Sequence, residues 1–507
     1  MLDPTPLLRL YSARRRAALA RQDAAAAQER QLLGLVGRAA ATRFGRDHGF
    51  DRIRSVADFQ KAVPLRRYDA FWKEYWQPAF PRLENVSWPG LVPYFAVSSG
   101  TTSGTSKYIP ITHAMNTSNT RAGLDVLSHH VAHYPGSRVF GGKSFMLGGS
   151  TDLIEQAPGI FSGDLSGIAV KRLPWWAKQF AFPPIEVALL SDWEEKVRRL
   201  TELAPKTDIR VITGTPSWVL ILFEKQMAES GRPITARDVY PHLELYVHGG
   251  VNFAPYRARF EAFLGPEVRL QEVYPASEGF IAFQDESPAE GLRLIADNGL
   301  FFEFVPLEEL DSANPVRHTL ATAETGVNYA IVLTTCAGLF SYVIGDTVRF
   351  VSKAPPRILI TGRTSYSMSA FGEHLIGEEI EDAVAHAAGT IGAAVTDFSM
   401  GAVFPETEGA LGGHLYVIEF DRDVSPAETG QAAAAIDARL SSLNDDYAAH
   451  RADGFGMKAP AILAVPRGFF AAWMKKRGRL GGQNKVPRVI TDQGLFADLR
   501  AFAAVYA

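Results

Sequence analysis

The chain has 507 residues, 47% hydrophobic and 21% charged, which gives it the length for at least two domains and the apolar content to pack them. Its formal net charge of −3, with both signs interspersed, excludes the basic footprint of a nucleic-acid binder and the cationic patch of a membrane-surface protein. A single cysteine, Cys336, excludes an intrachain disulfide framework and a cysteine-based zinc site, and its apolar surroundings read as a small buried hydrophobe.

The opening Met1-Leu-Asp-Pro-Thr-Pro lacks the apolar region of a secretory signal, and no run of about 18 apolar residues offers a membrane span. The expectation is a cytoplasmic protein. Residues 8–43 read as packed amphipathic helix, Ala-rich around 17–27. From about residue 90, strands and helices alternate in the manner of an α/β fold. Leu91–Val97 reads as a strand entering a glycine-rich loop, and Thr112–His133 as the helix after it. Ser144–Leu147, Ile209–Ile212, Leu243–Val247 and Val268–Val273 read as further strands. Ser191-x-x-Glu194 has the capping-box pattern ahead of a helix to about Leu203, and another helix is predicted over Pro255–Phe263. Residues 293–361 hold short β-like runs, Phe340–Ile344 and Thr347–Val351 among them, and predict an antiparallel subdomain. Beyond Arg363, a helix over Glu378–Ala388, an alternating strand over His414–Phe420 and a long helix over Pro426–Leu443 predict a small α+β domain. The predicted organisation is a large α/β domain over 1–361 with a β-rich subdomain, a hinge at 362–369, and a small mobile domain over 370–507.

Three segments carry chemistry. Ser98-Ser-Gly-Thr-Thr-Ser-Gly-Thr-Ser-Lys107 is dense in hydroxyls, with two glycines and one lysine, and directly follows an apolar strand. Glycines let the backbone turn its N–H groups onto an anion, which suits a polyphosphate. The Walker spacing is absent, because Gly100 and Gly104 are followed by Lys107 at the wrong interval. Tyr274-Pro-Ala-Ser-Glu278-Gly279 places a carboxylate at a strand end, a position from which it could hold Mg²⁺ against a phosphate or simply be solvated. Ser341-Tyr-Val-Ile-Gly-Asp346 offers a carboxylate for ribose hydroxyls, although Gly-Asp is also a turn signal.

In order and in combination, these segments resemble the three signature motifs of the Gretchen Hagen acyl-acid amido synthetases and their bacterial relatives, within the adenylate-forming superfamily. Further matches include Thr42–Phe50, Val63–Tyr68, Thr334–Leu339, Gly372-Glu373, Leu443–Tyr447 and Gln483-Asn-Lys485-Val-Pro-Arg488. The pattern departs at Val343, where arginine is usual, and at Pro275, where a small residue is usual.

The resemblance implies an ATP- and Mg²⁺-dependent ligase that converts a carboxylic acid to an acyl-adenylate and passes the acyl group to an amino acid or other amine. Ser98, Ser99, Gly100, Thr101 and Thr102 would bind phosphates, with Lys107 as a supporting charge. Glu278 would hold Mg²⁺, Asp346 the ribose, and Lys485 would act on the α-phosphate or carboxylate. Gly249, Gly250, Tyr274, Ala276, Ser277, Tyr342 and Arg363 complete the implied ATP site. Thr213, His248 and Val343 are implied for the acyl pocket, with His129, His133 and Trp175 as further candidates. His129, His130 and His133 share one helix face but lack the additional ligands of a zinc site. Partners are expected to be small molecules only, without nucleic acid or membrane, and the chain a monomer or weak homodimer. Two other readings stay open: thioester formation from the same adenylate, and a nucleotide-binding regulator without turnover.

Overall fold

Polar caps and apolar periodicity set the first elements. A computed structural model describes residues 3–506 apart from 100–105, 149–152, 191, 251–252, 254–255, 365–367, 369, 372, 374, 405–410, 445–446, 449–450, 452–456 and 481–484. The Ala-rich stretch is two helices rather than one: Thr5–Ala20 ends, and Asp23 caps Ala24–Ala39 by accepting from the Ala26 N–H at 3.0 Å. Arg15 locks the first of these in place, forking between Asp125 at 2.8 Å and Asp297 at 2.7 Å. The capping expectation at Ser191 also shifts, because Asp192 caps the helix Trp193–Leu203 by accepting from the Glu195 N–H. A carboxylate at that position satisfies an orphan amide as well as a hydroxyl does.

The chain forms two compact units, residues 1–250 with 264–360, and residues 251–263 with 361–507. Residues 251–263, read from sequence within the large domain, group with the second unit, where Arg259 donates to Thr396 at 3.2 Å. The strands in chain order are β1 (Tyr94–Ser99), β2 (Ser106–Ile111), β3 (Lys143–Leu147), β4 (Ile154–Ala157), β5 (Ile160–Gly163), β6 (Ala181–Phe182), β7 (Ile209–Gly214), β8 (Leu245–Gly249), β9 (Arg269–Ala276), β10 (Gly279–Phe283), β11 (Leu292–Leu294), β12 (Leu300–Pro306), β13 (Asn328–Thr335), β14 (Tyr342–Lys353) and β15 (Pro356–Arg363).

These make a four-stranded sheet, β2-β1-β5-β4, and an eleven-stranded one, β12-β13-β14-β15-β11-β10-β9-β8-β7-β3-β6. The β6-β3-β7-β8-β9 half is parallel, and β10 to β13 pair antiparallel with their neighbours. The predicted β-rich subdomain is therefore the antiparallel half of the same mixed sheet. Buried aromatics, including Phe44, Phe71, Trp76, Phe95 and Phe340, fill the core between the N-terminal helices and the small sheet.

In the second unit, β16 (Val395–Val403), β17 (Gly413–Phe420), β18 (Ala461–Val465) and β19 (Val489–Ile490) form a sheet in the order β18-β17-β16-β19. Alternation along β17 serves both faces. Tyr416 and Ile418 pack with the helices Gly377–Thr390 and Pro426–Leu443, while Val417 packs with Phe469–Lys476 and Gln493–Tyr506.

Candidate active site

In an α/β sheet, ligands bind beyond the carboxyl ends of the parallel strands. In the first unit that edge is formed by the ends of β7, β8 and β9, since Thr213 lies opposite Val247 and Gly249 opposite Val273. Thr213 is half-buried there, and His248 is buried with its ring 5.5 Å from that of Tyr246. Gly249 has no substitute, because a Cβ would lie 2.2 Å from the Val273 carbonyl oxygen. β9 then turns into β10 through the two residues Ser277 and Glu278, with Ala276 paired to Gly279. Glu278, in this turn, is buried at 8% exposure.

The third motif arrives from the antiparallel half. Two strands were expected over 340–351, but β14 is continuous and carries a bulge. Val343 faces Val332 and Thr347 faces Ala330, so Ile344, Gly345 and Asp346 together oppose a single residue of β13. Gly345, at φ +96°, supplies the left-handed conformation the bulge requires. The bulge re-aims Asp346, and the Tyr274 hydroxyl donates to Asp346 Oδ2 at 2.6 Å. The second and third motifs are thus brought into direct contact. Val343 packs with Val305, Leu310, Ala330 and Val332, as a core residue in this structure.

A polar network that the motifs did not reveal supports this strand. Ser341 sits at φ +48° and is held by the Arg317 guanidinium at 2.6 Å and the Thr334 hydroxyl at 2.9 Å. Arg317 also binds the fully buried Glu303 at 2.8 Å and donates to the Gln60 and Val63 carbonyls. Arg66 bonds across both sides of Tyr342, its N–H donating to the Ser341 carbonyl and its carbonyl accepting from the Val343 N–H. Ser341, Thr334, Val63 and Arg66 lie in segments flagged from sequence; nothing in the residues around Arg317 or Glu303 singles those two out.

The two ends of the glycine-rich segment lie in β1 and β2, which pair antiparallel with Ser98 opposite Lys107 and Ser99 opposite Ser106. Gly100, Thr101 and Thr102 lie outside the described residues. The Lys107 ammonium stands 5.6 Å from the Tyr68 ring centroid, and the Tyr68 hydroxyl accepts from the Tyr108 N–H. Burial pushes the Tyr68 phenol up to about 12, so it stays protonated.

Three acyl-pocket candidates are not brought to this edge. His133 contacts the Asp285 carbonyl at 3.0 Å, at the opposite end of the β9–β10 hairpin from Glu278, beside a cavity of about 440 Å³. His129 is buried against Phe283, 5.1 Å between ring centroids, with neither ring nitrogen hydrogen-bonded. Trp175 is 84% exposed, while the nearby Phe180 and Phe182 pack on Phe140 and Phe145. Helical spacing places residues on a common face without saying what that face meets. In the second unit, Arg363 ends β15 half-buried and Lys485 is exposed.

Family models agree with this layout. The GH3 family N-terminal domain matches residues 13–196 and 155–269, the central domain 293–363, and the C-terminal domain 378–494. Indole-3-acetic acid-amido synthetase GH3.3 of Arabidopsis thaliana is 26% identical over 263 residues, 49% of this chain and 43% of that protein. The match thus spans less than half the relative's length. The solved structure of AtGH3.15 acyl acid amido synthetase in complex with 2,4-DB superposes with a TM-score of 0.81 at 17% identity, over 99% of this chain and 97% of that one. The 2-hydroxyisobutyryl-CoA ligase in the postadenylation state in complex with 2-HIB-AMP gives 0.63 at 17% identity, over 94% and 90%. The fold is the α/β fold of the adenylate-forming enzymes.

Proposed function

The chain belongs to the GH3 family, and from that premise we propose that it is an ATP-dependent acyl-acid amido synthetase. The observation that carries the reading is the Tyr274–Asp346 contact, which joins a carboxylate suited to ribose hydroxyls to the strand leading into Glu278.

A carboxylate resists nucleophiles because it is already anionic and oxide is a poor leaving group. Its oxygen attacks the α-phosphorus of ATP, the bond to the β-phosphate oxygen breaks, and pyrophosphate leaves. An amine then attacks the acyl carbon, the carbon–oxygen bond to AMP breaks, and the amine loses a proton to solvent. The protein's task is to place charge where phosphate charge develops. The Ser98–Thr102 segment and Lys107 would meet the β- and γ-phosphates. Asp346 would grip the ribose, Gly249, Gly250, Tyr274, Ala276, Ser277, Tyr342 and Arg363 would line the nucleotide, and Lys485 would supply positive charge at the α-phosphate. Thr213 and His248 would border the acyl group.

The donor set suits Mg²⁺ bound mainly through phosphate oxygens: Glu278 offers one buried carboxylate, and the described residues contain no group of three His, Cys, Asp or Glu able to hold an ion alone. Held by Glu278, the ion would neutralise phosphate charge. Residues 362–369 would serve as a hinge between the half-reactions; 365–367 and 369 lie outside the described residues. Among the described residues no helix is long and apolar enough to cross a membrane. We place the enzyme in the cytoplasm, as a monomer or weak homodimer acting on small molecules.

Incubation with ATP, a panel of acids, and either amino acids or coenzyme A, read by product mass, tests the reading. An amide adduct is expected. Thioester formation with no amide from any amine would overturn amide synthesis in favour of the thioester reaction.

A further inference from the structure

Lys485 is exposed in the second unit, and three residues later Arg488 is buried, 9% exposed. Its guanidinium donates to the Tyr256 hydroxyl at 2.8 Å and the Phe398 carbonyl at 3.1 Å, pairs with Asp397, and stands 4.6 Å over the Phe398 ring. The Glu381 carboxylate lies 3.8 Å from Arg488 Nε. The backbone is fastened at the same place. Met400 donates its N–H to the Arg488 carbonyl at 2.8 Å, the Ser399 hydroxyl donates to the Pro487 carbonyl at 2.7 Å, and Val489 and Ile490 pair with Met400 and Gly401.

Burial opposes the charge on Arg488, and its acidic partners reverse that, leaving its pKa raised; burial holds the Asp397 carboxyl above the usual carboxylate range despite the arginine. A buried ion pair stabilises a fold little better than apolar residues of the same volume. A planar guanidinium held by a phenol, a carbonyl and a carboxylate contributes orientation, because its fork fits its acceptors in one geometry. Tyr256 adds a second constraint, since it precedes the helix Arg257–Leu264 and follows the Gly249-Gly250 strand end closely in sequence.

We propose that Arg488 is a positioning residue for Lys485: its bonds to Tyr256, Asp397 and the Phe398 carbonyl set the register and direction of the segment that carries the lysine. The inference rests on the role given to Lys485 above.

The test is a double-mutant cycle in the full chain, read as acid-dependent ATP–pyrophosphate exchange. Lys485→Ala is expected to lower the turnover number about 100-fold, and Arg488→Met to lower it by a comparable factor through misplacement of the lysine. In the Lys485→Ala background, Arg488→Met should cost no more than about two-fold further, because groups that act as a unit are not additive. Should Arg488→Met fail to fold, Tyr256→Phe carries the test, since it removes one hydrogen bond and leaves the ion pair intact. It should cost about 3- to 10-fold with Lys485 present and nothing measurable without it. Equal losses in both backgrounds, or an unchanged Tyr256→Phe enzyme, would overturn the positioning role while leaving Lys485 catalytic. A fully active Lys485→Ala enzyme would instead overturn the reading of Lys485, and this inference with it.

Discussion

The Tyr274 hydroxyl donates a 2.6 Å hydrogen bond to Asp346 Oδ2, fixing the rotation of a carboxylate carried on a different strand. An O–H···O⁻ bond of this length is charge-assisted and strong enough to hold the acceptor in one orientation. Tyr274→Phe should therefore raise KM for ATP by roughly 10- to 150-fold, as loss of a bond to a charged group costs roughly 1.5–3 kcal/mol. It should also shrink the preference for ATP over 2′- and 3′-deoxy-ATP, measured as the ratio of kcat/KM values. An unchanged ratio would remove Asp346 from ribose recognition.

Glu278 is the buried carboxylate of the two-residue turn between β9 and β10. Glu278→Gln preserves shape and removes charge. Acid-dependent pyrophosphate release is expected to fall by about 10²–10³-fold. The Mg²⁺ concentration for half-maximal rate should rise with it. A parental magnesium dependence would show that the ion is held elsewhere.

His129 gives a pH prediction. Burial, aided by Arg293, Arg16, His133 and Arg269, holds its imidazole down at about 3, against an ordinary 6.5. Between those values the unfolded chain binds a proton that the folded chain refuses. Its contribution to stability is complete above pH 6.5 and is lost as pH falls toward 3. At about pH 5 the loss amounts to about 2 kcal/mol. His129→Leu should therefore lose about 2 kcal/mol less than the parent between pH 7.5 and pH 5, measured by urea unfolding. Identical losses would contradict the assignment.

Arg317→Met would strand the fully buried Glu303 carboxylate. A loss of about 3–5 kcal/mol is expected, with much of it recovered by adding Glu303→Leu, because an apolar pair tolerates burial that a lone charge does not. Denaturant midpoints of the two variants check this. Failure of the second substitution to rescue would place the cost in the bonds to Ser341, Gln60 and Val63 instead.

Local chemistry made much of this fold legible. The alternation over His414–Phe420 and the Pro426–Leu443 helix, capped by Ser425, follow from nearest neighbours and appear as read. Phe340–Ile344 and Thr347–Val351 looked like two strands because Gly345 interrupts the apolar pattern, and only pairing with β13 shows that the interruption is a bulge. The site's carboxylates were visible as motif residues. Their arrangement was not, since the Tyr274–Asp346 and Arg488–Tyr256 bonds join residues distant in the chain. His129, His133 and Trp175 lie away from the β7–β9 edge for the complementary reason: a helix face identifies a surface to be covered, and the tertiary fold decides what covers it.

The proposed reaction is activation of a carboxylic acid on the phosphates of ATP. The most direct measurement is exchange of labelled pyrophosphate into ATP, across a panel of aryl, indolyl and fatty acids, for the parent and for Glu278→Gln. Exchange that requires a particular acid and collapses in the variant is the predicted result. Absence of acid-dependent exchange across the whole panel would rule out adenylate formation and leave a nucleotide-binding protein without turnover.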